Sequence, residues 1–232
     1  MRNLIVLICL LIVGFVSAQE YNQFDKQGER HGKWRKFFPG TEKVRYTGQF
    51  EHGKEVGVFK FYHKEAKAKH PSLIKTFQPN SDLAEVKYYT STGVLLNEGF
   101  LNGKIRVGEW KFYHKNSKEI SEIEFYEKGR LNGKKTSYYK NGKILQVENY
   151  TNGKLNGKKQ MFTNEGVLVK DMNYVNGRID GYFTEYRAGK KILEGKYAMG
   201  KPRGVWKYYK DGKLIETKDY TKSNNPKKKK AK

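Results

Sequence analysis

The amino-acid sequence predicts an all-β protein, in which tandem antiparallel β-hairpin repeats form one elongated, twisted sheet or trough. Three observations predict this fold: a period near 24 residues, a strict column of aromatic residues, and Gly-containing turn dipeptides at regular positions. The opening residues of the eight units are Gly32, Gly57, Ala84, Gly108, Gly133, Gly157, Gly181 and Gly204. They are 23 to 27 positions apart, as expected of a solenoid whose units bury their apolar faces against their neighbours.

Two columns of aromatic residues run through the repeats. The first stands five positions after each opening residue and comprises Phe37, Tyr62, Tyr89, Tyr113, Tyr138, Phe162, Tyr186 and Tyr209. The second stands before the turns that join the units and comprises Phe50, Phe100, Tyr126, Tyr150, Tyr174, Tyr197 and Tyr220. Because the copies keep aromatic residues at these two places, we predict rows of rings along the array.

Each unit is predicted to be a strand, a turn and a second strand. Residues alternate between two faces, with Trp110 and Phe112 on one face and Glu109 on the other, which is the period of a β-strand. Dipeptides such as Asn141-Gly142 supply the positive φ angles of a tight hairpin turn. A second set, here called the joint turns, connects consecutive units, as in Asn152-Gly153-Lys154. Short turns at both ends make consecutive strands antiparallel neighbours.

The units must stack to be stable. A lone hairpin is marginal in water, because one buried aromatic side chain contributes roughly 1.5 to 3 kcal/mol while ordering costs about 1.5 kcal/mol per residue. With strands about 4.8 Å apart, each unit advances the array by about 10 Å, and eight units form a twisted ribbon on the order of 75 Å long.

Two motifs carry a family resemblance. The pattern G-x-W-x-F-Y occurs at residues 108–113, and again at residues 204–209 with Tyr208 in place of the Phe, and N-G-K-x-x-G occurs at residues 152–157. On these motifs residues 32–220 resemble the MORN repeat family, in particular its variant form of about 24 residues per unit in exported bacterial proteins. The resemblance implies a β-hairpin solenoid. For function it implies an antitoxin of a toxin–antitoxin system, a scaffold or a lipid-binding module, without deciding among them.

Residues 1–18 are predicted to be a secretory signal peptide. A basic start, the apolar run of residues 4–16 and the small residues Ser17 and Ala18 predict cleavage after Ala18. The alternative is an uncleaved anchor, although the run is too short to span a bilayer comfortably. The only cysteine, Cys9, lies in this segment, so we expect no disulfide or thiolate metal site in the mature chain. The expected localisation is the periplasm, the cell surface or the medium.

Three further segments depart from the repeat pattern. Residues 19–31 are polar and are predicted to lead into the eight repeats of residues 32–220. Near residues 64–82 the turn of the second unit is replaced by a longer basic loop, which is either a tolerated insertion or a functional loop on a rigid scaffold. Residues 221–232 are rich in lysine and are predicted to be disordered. This tail either touches an anionic surface or serves solubility.

The positive charge belongs to the repeats. The formal net charge is +23, and Arg2 and six lysines of the tail account for seven of the positive charges, which leaves +16. The joint turns repeat a cation at Lys54, Lys104, Arg130, Lys154, Arg178 and Lys201. At about 10 Å per unit these cations are predicted to form a basic stripe along one edge.

Two interpretations of this stripe remain open. Screening acts over about 8 Å at physiological salt, so the stripe can reflect turn chemistry and solubility alone. Alternatively it is a site for lipid head groups, acidic polysaccharide or an acidic protein face. Nucleic acid is not expected, because the protein is predicted to be exported, although bases can stack on rows of tyrosine.

The tryptophan residues share one position, two residues after the opening residue. Trp34, Trp110 and Trp206 are joined there by Phe59 and Phe183. Exposed rings in this column would hold a sugar chain or a partner strand, and buried rings would form the core. Lys135 and Lys159 occupy the same position in the middle of the array. They interrupt any continuous aromatic platform and predict a partly exposed face there.

The sequence predicts no enzyme, no cofactor and no metal site. The five histidines show no two-histidine metal spacing, and Ser137 lies in a strand without a nucleophile elbow. Glu122 and Glu124 form no obvious inward-facing pair, although carboxylates far apart in sequence can meet in space. The Gly-rich turns do not open helices, as a phosphate-binding loop requires.

We therefore expect an exported, non-enzymatic scaffold whose basic and aromatic surface binds a protein, an anionic polymer or a lipid surface through many weak contacts. One alternative is an antitoxin or immunity-like protein that neutralises a specific toxin by tight one-to-one binding. Another is a lipid- or envelope-associated anion-binding module, which would touch the membrane at its surface only. No small-molecule substrate is expected.

Overall fold

A computed structural model gives the fold and describes residues 20–64, 70–79 and 81–221. The predicted signal peptide and Cys9 lie outside these residues, as do residues 65–69 of the basic loop and residues 222–232 of the tail. Within the described ranges the chain forms strands and turns without a helix. No helix long and apolar enough to cross a membrane is therefore present in this part of the chain.

Eighteen strands follow one another along the described chain. They are β1 (Gln23–Phe24), β2 (Arg30–Phe37), β3 (Val44–Glu51), β4 (Lys54–Phe61), β5 (Leu73–Phe77), β6 (Leu83–Tyr89), β7 (Leu95–Asn102), β8 (Ile105–Tyr113), β9 (Ile120–Glu127), β10 (Arg130–Leu131), β11 (Gly133–Tyr138), β12 (Ile144–Thr151), β13 (Lys154–Phe162), β14 (Leu168–Val175), β15 (Arg178–Arg187), β16 (Lys190–Ala198), β17 (Lys201–Lys210) and β18 (Lys213–Asp219).

The strands form one antiparallel sheet of successive hairpins. Each strand pairs with the next strand along the chain, except that β10 and β11, the two parts of a divided first strand, both pair with β9. The same order continues from β11 to β18. The predicted all-β fold of tandem hairpins in an elongated twisted sheet is confirmed.

One face of the sheet, here called the inner face, holds the core through two matched columns. The ring position, two residues after each opening residue, contains Trp34, Phe59, Val86, Trp110, Lys135, Lys159, Phe183 and Trp206. From Phe59 onward each of these side chains lies over or beside one residue of the neighbouring strand that comes earlier in the chain. The place of that residue is here called the facing position. The facing residues are Gly48, Lys75, Gly99, Glu124, Glu148, Met172 and Gly195.

The apolar core is divided into three clusters along the inner face. The first is built around Trp34, Phe50 and Phe59. The second is built around Val86, Leu101 and Trp110, with Ala84 beside them, and the third around Met172, Phe183 and Trp206. Edge-to-face ring pairs occur within the clusters, a geometry that contributes about 0.5 to 1.5 kcal/mol per pair beyond the burial itself.

One joint turn lies a residue out of step with the others, and this moves Phe100 away from the core. Its two turn residues are Gly103 and Lys104, whereas in the other joint turns the glycine is the second turn residue. Leu101 is therefore buried in the place that Phe50 has in the first unit, and Phe100 is 36% exposed. The prediction that Phe100 belongs to the second aromatic row is wrong, because it assumed the same distance back from the turn glycine.

Candidate functional site

The six predicted joint-turn cations lie along one edge of the sheet, here called the basic edge. They are Lys54, Lys104, Arg130, Lys154, Arg178 and Lys201, and all six are exposed. Five of them are the first residue of a strand, at the starts of β4, β10, β13, β15 and β17. The two turn residues before each of these five have positive φ angles, as in Asn152 (50°) and Gly153 (79°). This is the conformation of a type I′ hairpin turn.

Hydrogen bonds across each unit hold successive joint turns in a row. The N–H of Gly153 donates to the carbonyl of Leu131 at 2.7 Å, beside the preceding turn. Further along, Gly177 donates to Leu155 at 2.8 Å and Gly200 to Ile179 at 2.9 Å. Side chains repeat the link, since an oxygen of Asn132, Asn156 or Asp180 accepts the backbone N–H of Asn152, Asn176 or Met199, respectively. The backbone therefore sets the spacing of the cations.

Ion pairs among the described residues do not neutralise the charges on the basic edge. None of the six side chains forms a salt bridge with another residue in the part of the chain that the structure describes. Lysines on the faces of the sheet do, as Lys87 shows with its Nζ 3.0 Å from Glu85 Oε1. Glu51 and Glu127 each stand across a joint turn from a cation, so the positive charge is lower at those two turns.

Lys104 differs from the other five cations in its backbone position. It is the second residue of its turn, and Ile105, which is 51% exposed, takes the place that the cation has elsewhere. The prediction that Lys104 is equivalent to the other joint-turn cations is therefore wrong in register. Its side chain is exposed at the same turn, so the basic edge keeps a charge in this unit.

The three predicted binding tryptophans lie in the core. Trp34, Trp110 and Trp206 are 9%, 0% and 3% exposed. The indole N–H of Trp110 donates to the carbonyl of Phe100 at 3.2 Å, and the guanidinium of Arg106 lies 4.3 Å from the centre of its ring. These rings are covered by their neighbours, so they offer no platform for a sugar or a partner strand. Of the two interpretations of the tryptophan column, the burial of these rings supports the one in which they form the core.

Ion pairs replace rings on the inner face at the middle of the array. Lys135 Nζ lies 2.8 Å from Glu124 Oε1 and 3.1 Å from Glu122 Oε2, and Lys159 Nζ lies 2.7 Å from Glu148 Oε1. Both residues at the facing position, Glu124 and Glu148, are buried. The prediction that Glu122 and Glu124 form no inward-facing pair is wrong, because residues i and i+2 of a strand share a face.

These contacts shift the pKa values of the groups involved. Burial alone would lower the pKa of Lys135, but its hydrogen bonds to Glu124 and Glu122 outweigh burial and raise that pKa. Burial, followed by the hydrogen bond that its hydroxyl donates to Glu124 at 2.7 Å, raises the pKa of Tyr126. Lys135 therefore stays charged at neutral pH, as a structural cation. In the sequence, such an ion pair is indicated by a lysine at the ring position that follows a glutamate at the facing position of the neighbouring strand.

An exposed aromatic side chain lies on the other face, in the seventh unit. Tyr182 is 70% exposed, and Lys196 Nζ lies 4.3 Å from the centre of its ring. With Val205, Arg203 and Glu194, these side chains line a shallow groove of about 340 Å³. The groove combines an apolar surface with cations. Tyr182 was not among the predicted binding residues, because it stands one residue after the opening glycine, outside both aromatic columns.

Comparison of the chain with protein-family models and with curated proteins finds no match. The resemblance to MORN repeats and the roles that it implies therefore stay predictions. The feature of the described residues that most directly suggests a function is the basic edge.

Proposed function

We propose that this protein is an exported, non-enzymatic repeat scaffold that binds an elongated anionic partner along the basic edge. The observation that carries the proposal is the row of exposed cations, which have no ion-pair partners among the described residues and are spaced by hydrogen bonds between the joint turns. A partner with regularly repeated negative charges would contact several of these cations at once.

The spacing of the row suits a linear polyanion. Each unit advances the sheet by about 10 Å, so the row from Lys54 to Lys201 extends over roughly 60 Å. This step exceeds the screening length of about 8 Å at physiological salt, so each cation acts almost independently. One exposed charge contact contributes roughly 0.2 to 1 kcal/mol. Several together give useful affinity, because a stiff sheet loses little conformational entropy on binding.

The aromatic part of the proposed surface is the groove beside Tyr182 and not the tryptophan column. Tyr182 and Val205 expose apolar surface, and Lys196 and Arg203 surround it with positive charge. An aromatic face next to cations contacts both the ring of a sugar and its acidic substituent. Acidic polysaccharide is therefore the first polyanion to test.

The test compares two variants that remove the same amount of charge. The first replaces Arg130, Lys154, Arg178 and Lys201 on the basic edge with alanine. The control replaces four exposed lysines of the opposite edge, Lys118, Lys140, Lys190 and Lys213. Affinity for heparin, as a model acidic polysaccharide, is measured by titration at several salt concentrations. We expect the first variant to bind at least about tenfold more weakly, with a shallower salt dependence, and the control to bind closer to wild type.

Four outcomes would contradict or redirect the proposal. Equal losses in both variants would mean that the net charge matters and the row does not. An unchanged affinity in the first variant would exclude the basic edge. Tight one-to-one capture of a purified protein that persists at several hundred millimolar salt would instead support the antitoxin-like alternative, and binding to anionic vesicles without binding to polysaccharide would support the lipid-associated one.

A further inference from the structure

Three side chains that can bind a metal meet at the N-terminal end of the sheet. Asp25, His31 and His52 each offer one ligand atom, and these atoms lie within 4.8 Å of one another. The two imidazole rings have their centres 5.1 Å apart, and His52 Nδ1 lies 2.8 Å from Asp25 Oδ2. The sequence shows no two-histidine metal spacing because the sheet, and not the local sequence, brings His31 beside His52.

The backbone fixes all three residues in place. Asp25 Oδ1 accepts the N–H groups of Gln27 at 3.0 Å and Glu29 at 2.8 Å, which leaves Oδ2 directed at His52. His31 lies in β2 opposite Gln23 of β1. His52 is the first residue of a joint turn. The second residue of that turn, Gly53, donates its N–H to the carbonyl of Arg30, the residue before His31. The segment between β1 and β2, the strand β2 itself and the first joint turn each contribute one ligand.

Comparison with the other repeats shows that these histidines are not needed for the turn. His31 stands directly before an opening glycine and His52 begins the joint turn, which are the positions of Asn132 and Asn152 in a later unit. There the amide oxygen of Asn132 accepts the backbone N–H of Asn152 at 3.2 Å. The first unit has two imidazoles at these positions, and a carboxylate from the lead-in joins them.

We propose that Asp25, His31 and His52 form a binding site for a divalent transition-metal ion, such as Zn²⁺ or Cu²⁺. Two imidazole nitrogens and one carboxylate oxygen are a ligand set that these ions accept, with further positions left for water. Bonds of about 2.0 to 2.2 Å require the ligand atoms to close to roughly 3.4 Å apart. Rotation of the exposed histidines accomplishes this, since the His52 side chain is 63% exposed.

A second carboxylate lies over the same turn. A Cβ atom placed on Gly53 would stand 3.7 Å from Glu29 Oε2, so Glu29 adds negative charge beside His52. The hydrogen-bonded contact between His52 and Asp25 accounts for two of the three residues, but not for the position of the His31 ring beside that of His52. A bound metal would join all three and fasten the lead-in to the first joint turn.

The test uses the full chain without an affinity tag, after treatment with a chelator. Calorimetric titration with zinc chloride at neutral pH is compared among wild type, the double variant His31→Asn/His52→Asn, and His63→Asn. The double variant installs the residues that other units use at these two positions, so we expect it to fold. His63 is exposed and lies outside the site, which makes His63→Asn the matched control for loss of an imidazole.

We expect wild type and His63→Asn to bind one equivalent of Zn²⁺ and the double variant to bind at least about 100-fold more weakly. Zinc should raise the melting temperature of wild type and leave that of the double variant unchanged. With Cu²⁺, the electron paramagnetic resonance spectrum of wild type should show nitrogen ligands. Equal binding by the double variant, or no binding by folded wild type, would overturn the proposal and leave only the hydrogen-bonded contact of His52 with Asp25.

Discussion

Gly195 lies directly beneath the indole ring of Trp206, so closely that a Cβ atom placed on Gly195 would stand 2.2 Å from Cδ2 of that ring. The same relationship recurs twice. A Cβ atom on Gly48 would stand 2.3 Å from the ring of Phe59, and one on Gly99 would stand 2.4 Å from the ring of Trp110. These glycines do not have positive φ angles, so it is the ring and not the backbone that requires a residue without a side chain. Each apolar cluster therefore contains one pair in which a large ring packs on a glycine.

Replacing Gly195 with alanine should therefore destabilise the protein by about 1 to 3 kcal/mol, because the new methyl group would displace a well-packed ring. The free energy of unfolding, measured by urea denaturation, checks this. In a Trp206→Leu background, where the ring is absent, the same glycine replacement should cost much less. An equal cost in both backgrounds would mean that contact with the ring is not the cause.

The buried ion pair of Lys159 and Glu148 should be replaceable only as a pair. Lys159→Met leaves Glu148 without its counter-ion in a buried position, and removing one partner of a buried pair costs about 3 to 5 kcal/mol. The double variant Glu148→Gly/Lys159→Phe recreates the glycine and ring found at Gly48 and Phe59, so we expect a smaller loss or a gain. Urea denaturation of both variants checks this. A double variant less stable than Lys159→Met would show that the polar contacts of Glu148 stabilise the sheet independently.

Tyr113 should make the protein sensitive to high pH. Burial and the hydrogen bond to Glu98 raise its pKa from 10.0 to about 12. Because the pKa is higher in the folded state, the neutral tyrosine contributes stability that is fully present below about pH 10 and is lost as the pH rises towards 12. We expect the free energy of unfolding to fall over this interval, and to fall less in Tyr113→Phe. Urea denaturation across the interval checks the first point, and tyrosinate absorbance should show one titrating group fewer near pH 12 in the variant.

The fold was predictable because its signals recur in most of the units. An opening glycine, an aromatic residue five positions later and a joint turn such as Asn152-Gly153 each have a local physical cause, and their period is visible along the chain. The row of joint-turn cations follows from the same period. For this reason the order of the strands and the exposure of residues such as Lys154 needed no information about contacts between strands.

The inner face was harder to predict because its pairing runs across strands. Trp206 lies on Gly195 and Lys135 contacts Glu124, but each match becomes visible only when the ring and facing positions are read together. The register shift at Gly103 is a second example. One additional residue lies between this turn glycine and the opening glycine, Gly108, and it exchanges the faces on which Phe100 and Leu101 lie. The cluster of His31 with His52 also depends on neighbours in the sheet. Local spacing contains none of this information.

Deleting one internal unit should shorten the sheet without disrupting it. Removal of residues 133–156 joins Asn132 to Gly157 and recreates the junction that was cut. On the inner face Glu124 would then meet Lys159, so each buried carboxylate that remains keeps a lysine. We expect a folded β-protein with a lower free energy of unfolding, because stability in such arrays is approximately the sum of the units and the interfaces between them. The denaturant dependence should also decrease with the surface buried.

A control deletion of residues 133–143 removes β11 and the hairpin turn after it. This deletion joins β10 directly to β12. β12 could then keep its direction only by lying parallel to β9, and a short turn cannot join parallel strands. This variant should therefore lose its cooperative transition. Circular dichroism and urea denaturation distinguish the two deletions. If removing the whole unit leaves the melting temperature and the denaturant dependence unchanged, the units do not stabilise one another across the sheet. A rigid spacing of the basic edge would then have no structural basis.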